Sequence, residues 1–147
     1  MFASRPLWER PVLREAAGDT LRPGGFALTD RAAEVMDMLP GWRVLDVGCG
    51  LGATVRRLRA RFGANAYGVE CSPGQVGSLA GGTCYVQAHG EDLPFGEASF
   101  SAVFCECVLS LLPDAHAGLR EFHRVLDRGG LARSFRSPCG QPPAVGG

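Results

Sequence analysis

The sequence predicts an α/β fold in a single domain, an open parallel sheet with helices on both faces. Three observations predict it. Short apolar runs alternate with stretches of helical period along most of the 147 residues. One of those runs, ending at Val47, feeds a turn with glycines at alternate positions, Gly48, Gly50 and Gly52, which opens a helix. And a chain of this length, 46% hydrophobic, can bury one core but not two.

Taken in order, Pro11 opens a short helix through about Ala17, ended by Gly18, and residues 22–25 form a loop. Thr29 or Asp30 caps a helix running to Leu39, which Pro40 and Gly41 stop. Arg43 to Val47 is the first strand. Leu51, Val55, Leu58 and Phe62 then form one stripe of a helix whose outer face carries Arg56, Arg57, Arg59 and Arg61, and Gly63 ends it. Ala66 to Glu70 is the second strand, Ser72 and Pro73 start a short helix that Gly81 and Gly82 break, and Thr83 to Ala88 is the third strand. A loop from His89 to Ala98 leads into the apolar run Ser99 to Leu109, suited to a buried fourth strand. Pro113 and Asp114 start a last helix with Leu119, Phe122 and Leu126 inward, closed by Gly129 and Gly130. Beyond it the apolar pattern fails: Leu131, Ala132 and Phe135 are interrupted by arginines, which predicts a frayed edge strand at best and then disorder.

Bulk properties narrow the function. The formal charge is zero, so no basic field exists to hold a nucleic acid or an anionic membrane. No run of 18 apolar residues occurs and the first residues lack a continuous secretory core, which predicts a soluble, cytoplasmic protein. The six cysteines form no CxxC pair, so reduced thiols are expected.

The glycine turn is the candidate site, because ligands of open parallel sheets bind outside the carboxyl ends of the strands. Gly48, Gly50 and Gly52 permit tight turning and close backbone approach. Spacing alone leaves a nicotinamide or flavin dinucleotide open, since Gly48, Gly50 and Ala53 satisfy the relaxed fingerprint. Asp46 discriminates: a carboxylate before the first glycine would repel a pyrophosphate and attract a ligand carrying an ammonium group. S-adenosylmethionine has such a group, together with a sulfonium, a ribose and an adenine, and no phosphate.

The segment LDVGCGLG, Leu45 to Gly52, resembles the first motif of the class I S-adenosylmethionine-dependent methyltransferases, and further pieces follow in order. Glu70 stands where that family places an acid on the ribose hydroxyls. GEDLPF, Gly90 to Phe95, resembles the loop after the third strand, where the resemblance implies that Asp92 and the following backbone meet the adenine edge, and FCECV, Phe104 to Val108, resembles the end of the fourth strand. EFHRVLDRGG, Glu121 to Gly130, resembles the helix and turn before the fifth. By pattern the chain is most similar to the quinone-biosynthesis and arsenite branch, which acts on small molecules. The resemblance covers about Thr29 to Gly130. It implies a Rossmann-like sheet in order 3-2-1-4-5, S-adenosylmethionine as cofactor, and a small-molecule acceptor as partner. It also implies a cofactor-binding set of Asp46, Gly48, Cys49, Gly50, Gly52, Glu70, Cys71, Glu91, Asp92, Leu93 and Cys105. The corresponding division of the chain is a lid-like helix/loop segment over residues 1–28, an S-adenosylmethionine-binding domain over 29–132 and a disordered tail over 133–147. The family's last two strands have no counterpart, which reads as a C-terminal truncation or a shifted reading frame. An exposed sheet edge would then allow copies to associate.

Methyl transfer from a sulfonium needs alignment and exclusion of water more than side-chain chemistry, so no catalytic residue is assigned. Glu106 would orient the acceptor or act as base, although a strand-end acid in solvent is the simpler expectation. His89 and His116 fall in or near loops and are read as structural. Thr29 either caps its helix or touches the methionine end of the cofactor. Cys49, Cys71, Cys105 and Cys107 fall near strand ends, where thiolates suit zinc or a metalloid such as arsenite; the resemblance accounts for Cys49 within its glycine loop, packing accounts for Cys105 and Cys107, and no metal site is assigned. Two further readings stay open: a cofactor-binding domain with weak or lost transferase activity, and an NAD-dependent oxidoreductase.

Overall fold

The computed structural model describes residues 25–76, 84–106 and 109–135. The helix expected over Pro11 to Ala17, Cys107, Cys139 and the breaker Gly81–Gly82 lie outside them. Five parallel strands form one sheet in the order β3-β2-β1-β4-β5, as the resemblance implied. They are β1 (Arg43–Val47), β2 (Asn65–Glu70), β3 (Tyr85–Gln87), β4 (Phe100–Glu106) and β5 (Leu126–Phe135). The helix α1 (Ala27–Val35) precedes β1, and between the strands run α2 (Ala53–Phe62), α3 (Pro73–Val76) and α4 (Ala115–Val125), with a 3-10 turn at Leu109–Leu111. Among the described residues no helix is long and apolar enough to cross a membrane.

Alternation along the strands divides the core into two. Val44, Ala66, Ala102 and Phe104 face one side and meet Ala32 and Ala33 of α1, its C-cap Met36, and Val55 and Leu58 of α2. Leu45, Val47, Val69, Val103 and Cys105 face the other and meet Phe122 and Val125 of α4. Each buried valine, leucine or phenylalanine among them contributes about 1.5–3 kcal/mol against exposure, and the alanines less. The helical stripe around Val55 and Leu58 is therefore the inward face of α2, and helices do cover both faces.

Several boundaries differ from the sequence expectations for local reasons. α1 ends at Val35 rather than Leu39 because Asp37 adopts φ +52°, and the amides of Asp37 and Met38 bond the carbonyls of Glu34 and Ala33 at 3.0 Å each. That is a Schellman closure with aspartate in the left-handed position usually taken by glycine. The helix begins at Ala27 with Phe26 at the cap, so Thr29 lies inside it and neither Thr29 nor Asp30 caps it; Asp30 instead pairs with Arg57 of α2 at 2.7 Å. That guanidinium holds the Asp30 carboxyl below its ordinary range.

α4 starts as expected, with Asp114 accepting the Ala117 amide at 3.0 Å. Its buried residues are Gly118, Phe122 and Val125, however, and Leu119 is 47% exposed. The stripe is offset by one position, and the chain passes straight from Val125 into β5. Gly129 and Gly130 do not close the helix. They lie in an irregularity where Leu126 pairs with Phe100 and Leu131 already pairs with Ala102, so residues 127–130 loop out of the ladder. β5 then pairs with β4 as far as Phe135, three residues into the segment expected as tail, and is not a frayed edge.

Gly68 in β2 is a packing glycine. A Cβ there would lie 2.6 Å from the Cys49 sulfur and 2.9 Å from the Tyr85 ring, which close over the strand from both sides. Gly68→Ala should cost about 1–3 kcal/mol, the usual range for overpacking, in urea unfolding. A change below about 0.5 kcal/mol, ordinary for a surface site, would show that this packing is not tight.

Candidate functional site

The carboxyl edge of the sheet brings three carboxylates to one face. Asp46 follows Val44 by two residues, Glu70 follows Gly68 by two and Glu106 follows Phe104 by two, so all three point to the side covered by α1 and α2. Their exposures are 4%, 7% and 8%, far below those of solvated strand-end acids.

Between them lies the glycine turn. Gly48, Gly50 and Gly52 have φ of +76°, +54° and +78°, left-handed conformations that side chains disfavour. The turn hangs on β2. The amides of Gly48 and Cys49 donate to the Val69 carbonyl at 2.7 and 2.9 Å, and the Gly50 amide donates to Oε2 of Glu70 at 2.8 Å. Gly52 caps α2 where a Cβ would strike Tyr85 of β3, 2.5 Å from its hydroxyl oxygen. Oε1 of Glu70 accepts the Ser72 amide at 3.2 Å. The Cys71 thiol is a third, weak donor to Oε1 at 3.9 Å, and these bonds leave that carboxylate with acceptor capacity for more.

The loop after β3 crosses the end of β1. A Cβ on Gly90 would meet Val47 at 3.1 Å, and partial burial, with the Glu70 and then the Glu91 carboxylate adding, pushes the Cys71 thiol up. Asp92 is exposed, while Oε1 of Glu91 is buried and has no hydrogen-bond partner among the described residues. Leu93 is buried, and its amide donates to Oε2 of Glu121 at 2.8 Å.

The expectation of a solvated Glu106 is overturned. Its Oε1 and Oε2 accept the Thr29 hydroxyl at 2.9 and 3.2 Å, and Oε2 accepts the Thr54 hydroxyl at 3.4 Å. Thr29 belongs to α1 and Thr54 to the first turn of α2, so one carboxylate joins three elements behind the glycine turn. Thr29 is fully buried and acts as a donor, not a cap. Sequence reasoning missed Thr54, and the signal was strand parity: Ala102, Phe104 and Glu106 share a face, so the acid follows two core residues inward.

Among the described residues the cysteines do not gather. Cys49 packs in the core beneath α1 and α2, Cys105 in the core beneath α4, and Cys71 is exposed. Burial, with the Asp46 and Glu70 carboxylates adding, pushes the Cys49 thiol well above the ordinary range, which disfavours the thiolate a soft metal would need. No group of three or more His, Cys, Asp or Glu side chains suited to a metal exists among the described residues. His89 and His116 are both exposed.

An open parallel sheet in order 3-2-1-4-5, with a glycine turn at its switch point, defines a Rossmann-like α/β protein. The particular family follows from comparison. The profile described as "Methyltransferase domain" matches residues 45–133, which is more than half of the chain. The chain belongs to that family. It is 35% identical over 102 residues to the ubiquinone/menaquinone biosynthesis C-methyltransferase UbiE of Rhizobium leguminosarum bv. trifolii, a match covering 62% of this chain and 40% of that enzyme. This chain thus spans well under two thirds of that relative's length. Among solved structures it is similar to the [4+2]-cyclase SpnF, with TM-score 0.64 and 29% identity over 71% of this chain and 42% of that one. A Haemonchus contortus phosphoethanolamine N-methyltransferase, in complex with phosphomonomethylethanolamine and S-adenosylhomocysteine, shares the fold. Its TM-score is 0.73 at 22% identity, over 81% of this chain and 30% of that one.

Proposed function

We propose that the chain binds S-adenosylmethionine along its glycine turn and serves methyl transfer to a small-molecule acceptor. The observation that carries this reading is the Glu70 carboxylate, buried at the end of β2 and bonded to the Gly50 amide at 2.8 Å. It stands beside the turn with spare lone pairs for a pair of vicinal hydroxyls. The residues fit the group at three further points. The orphaned Oε1 of Glu91 is an acceptor waiting for a donor such as the exocyclic amine of adenine. Gly48, Gly50 and Gly52 hold backbone conformations that leave the turn bare of side chains, so a ligand can lie against it. Asp46, buried under the turn, favours the cationic amino-acid end over a pyrophosphate.

Bound there, S-adenosylmethionine would supply an electrophilic methyl group on a sulfonium. This chain's residues would orient that donor. Glu70 would grip the ribose, Glu91 the base, and the turn amides with Asp46 the methionine end. The acceptor would enter over the carboxyl end of β4, as ligands of this architecture do. The name of the UbiE relative, a C-methyltransferase of quinone biosynthesis, supports a small organic acceptor.

A second reading has an observation of its own. SpnF, similar over 71% of this chain, is named a cyclase, so this fold also serves reactions other than methyl transfer. Calorimetry with S-adenosylmethionine, S-adenosylhomocysteine and NAD decides the cofactor: both sulfur ligands should bind and NAD should not. NAD binding without either of them would overturn the reading. Transfer of radiolabelled methyl groups to a metabolite extract then separates the two functions, and tight binding with no transfer favours the second.

A further inference from the structure

α4 packs on the sheet face that carries Leu45 and Val47, and two of its side chains hold the loop that carries Glu91, whose Leu93 and Phe95 enter the same core. Arg124 donates from Nη1 to the Phe95 carbonyl at 2.7 Å and from Nη2 to the Leu93 carbonyl at 3.0 Å. Glu121 accepts the Leu93 amide at 2.8 Å. The two side chains grip each other through Nε to Oε1 at 2.7 Å and Nη2 to Oε2 at 2.8 Å. Where the loop returns, the Ala98 and Ser99 amides bond the carbonyls of Arg124 and Val125 at 3.0 and 2.8 Å. Three side-chain bonds thus fix the loop backbone, two of them within two residues of Glu91, through a planar fork that a lysine cannot reproduce.

A solvated i,i+3 pair on a helix surface contributes a few tenths of a kcal/mol. This pair does something else, because both members spend hydrogen bonds on a loop remote in sequence and both are mostly buried, 32% and 18% exposed. The bidentate guanidinium draws the Glu121 carboxyl below its usual range, so the pair is fully charged at neutral pH. With the Leu93 amide bound by Glu121, the backbone at Leu93 turns toward α4, and the loop's buried acceptor is the Glu91 carboxylate.

We infer that Glu121 and Arg124 are positioning residues for base recognition, holding Glu91 where it accepts the adenine amine and rejects a base with a carbonyl at that position. The inference rests on the cofactor reading above. A carboxylate facing an amine gains a charge-assisted hydrogen bond; facing a carbonyl it meets another acceptor. The discrimination exists only while the loop is held.

The experiment is calorimetry of the full chain with S-adenosylhomocysteine and its deaminated analogue S-inosylhomocysteine, for the unaltered protein, Arg124→Lys, Glu121→Gln and Glu91→Gln, each with a thermal melt. The unaltered protein should prefer the adenine ligand by about 30-fold or more, the range of one good hydrogen-bond pair to a charged group. Arg124→Lys, the milder change, should stay folded and lower that ratio to about 5-fold or less, mainly by weakening the adenine ligand. Glu121→Gln should act in the same direction, and Glu91→Gln should reduce the ratio without moving the melt. A merely structural pair would weaken both ligands equally, and a ratio unchanged in the folded Arg124 and Glu121 variants overturns the inference. Binding of both ligands by the unaltered protein without preference also overturns it, while the cofactor reading stands. No binding of either ligand overturns both.

Discussion

Glu70→Ala should weaken S-adenosylhomocysteine binding by about 100-fold while leaving a folded protein. The carboxylate has two tasks on this reading, and the variant removes both. It accepts the Gly50 amide at 2.8 Å, which fixes the middle of the glycine turn, and it offers its remaining lone pairs to the ribose hydroxyls. Hydrogen bonds to a charged acceptor contribute about 1.5–3 kcal/mol each, and two of them amount to roughly two decades of affinity. Glu70→Gln keeps one oxygen and should fall between, at about 10-fold. The fold should survive because the turn keeps two further anchors, the Gly48 and Cys49 amides on the Val69 carbonyl. Calorimetry gives the affinity and urea unfolding the stability. Affinity within about 3-fold of the unaltered protein would place the ribose elsewhere.

That result would also test how far the site is legible from sequence. The glycine turn, the α2 stripe and the acid closing β2 depend on local rules: positive φ, a 3.6-residue period and alternation on a strand. Those rules act within a few residues, and the sheet order followed from the family resemblance. What was hidden depends on partners far along the chain. Glu106 reads as a solvated strand end until Thr29, 77 positions away, is seen to cover it. Glu121 and Arg124 carry no role in the sequence reading, and they gain one only where the loop from Glu91 to Phe95 is found lying on them. Leu119 and Leu126 fit a helical stripe as well as Gly118 and Val125 do, and only packing against the sheet selects between them. The cysteines are a case of proximity in sequence position misleading. Cys49 and Cys105 both stand near strand ends, and parity alone would put Cys49 with Val47 on the face of Cys105, but the left-handed Gly48 turns the chain so that Cys49 packs on the opposite face.

Glu106→Ala should cost about 2–4 kcal/mol in urea unfolding, far more than the half kcal/mol typical of a surface acid. The carboxylate is 8% exposed and accepts two threonine hydroxyls, one from each helix on its face, so its removal strips an acceptor from two buried donors and leaves a void between β4, α1 and α2. Buried donors deprived of an acceptor cost about 1–3 kcal/mol each, less where water or a second partner relieves them. Glu106→Gln preserves shape and one acceptor oxygen and should cost about 1 kcal/mol. A Thr29→Val, Glu106→Gln double-mutant cycle isolates the contact and should return a coupling of about 1 kcal/mol, because the two residues touch at 2.9 Å. If additivity holds within about 0.3 kcal/mol, the hydroxyl and the carboxylate are neighbours without being partners. The same variants bear on the cofactor, since Thr54 sits in the first turn of α2, immediately after Gly52 and Ala53. Loosening that turn should lower S-adenosylhomocysteine affinity by about 3- to 10-fold in Glu106→Gln, on the order of one neutral hydrogen bond. Unchanged affinity alongside the expected loss of stability would confine Glu106 to joining α1 to the sheet, and would separate the framework behind the turn from the surface that holds the ligand.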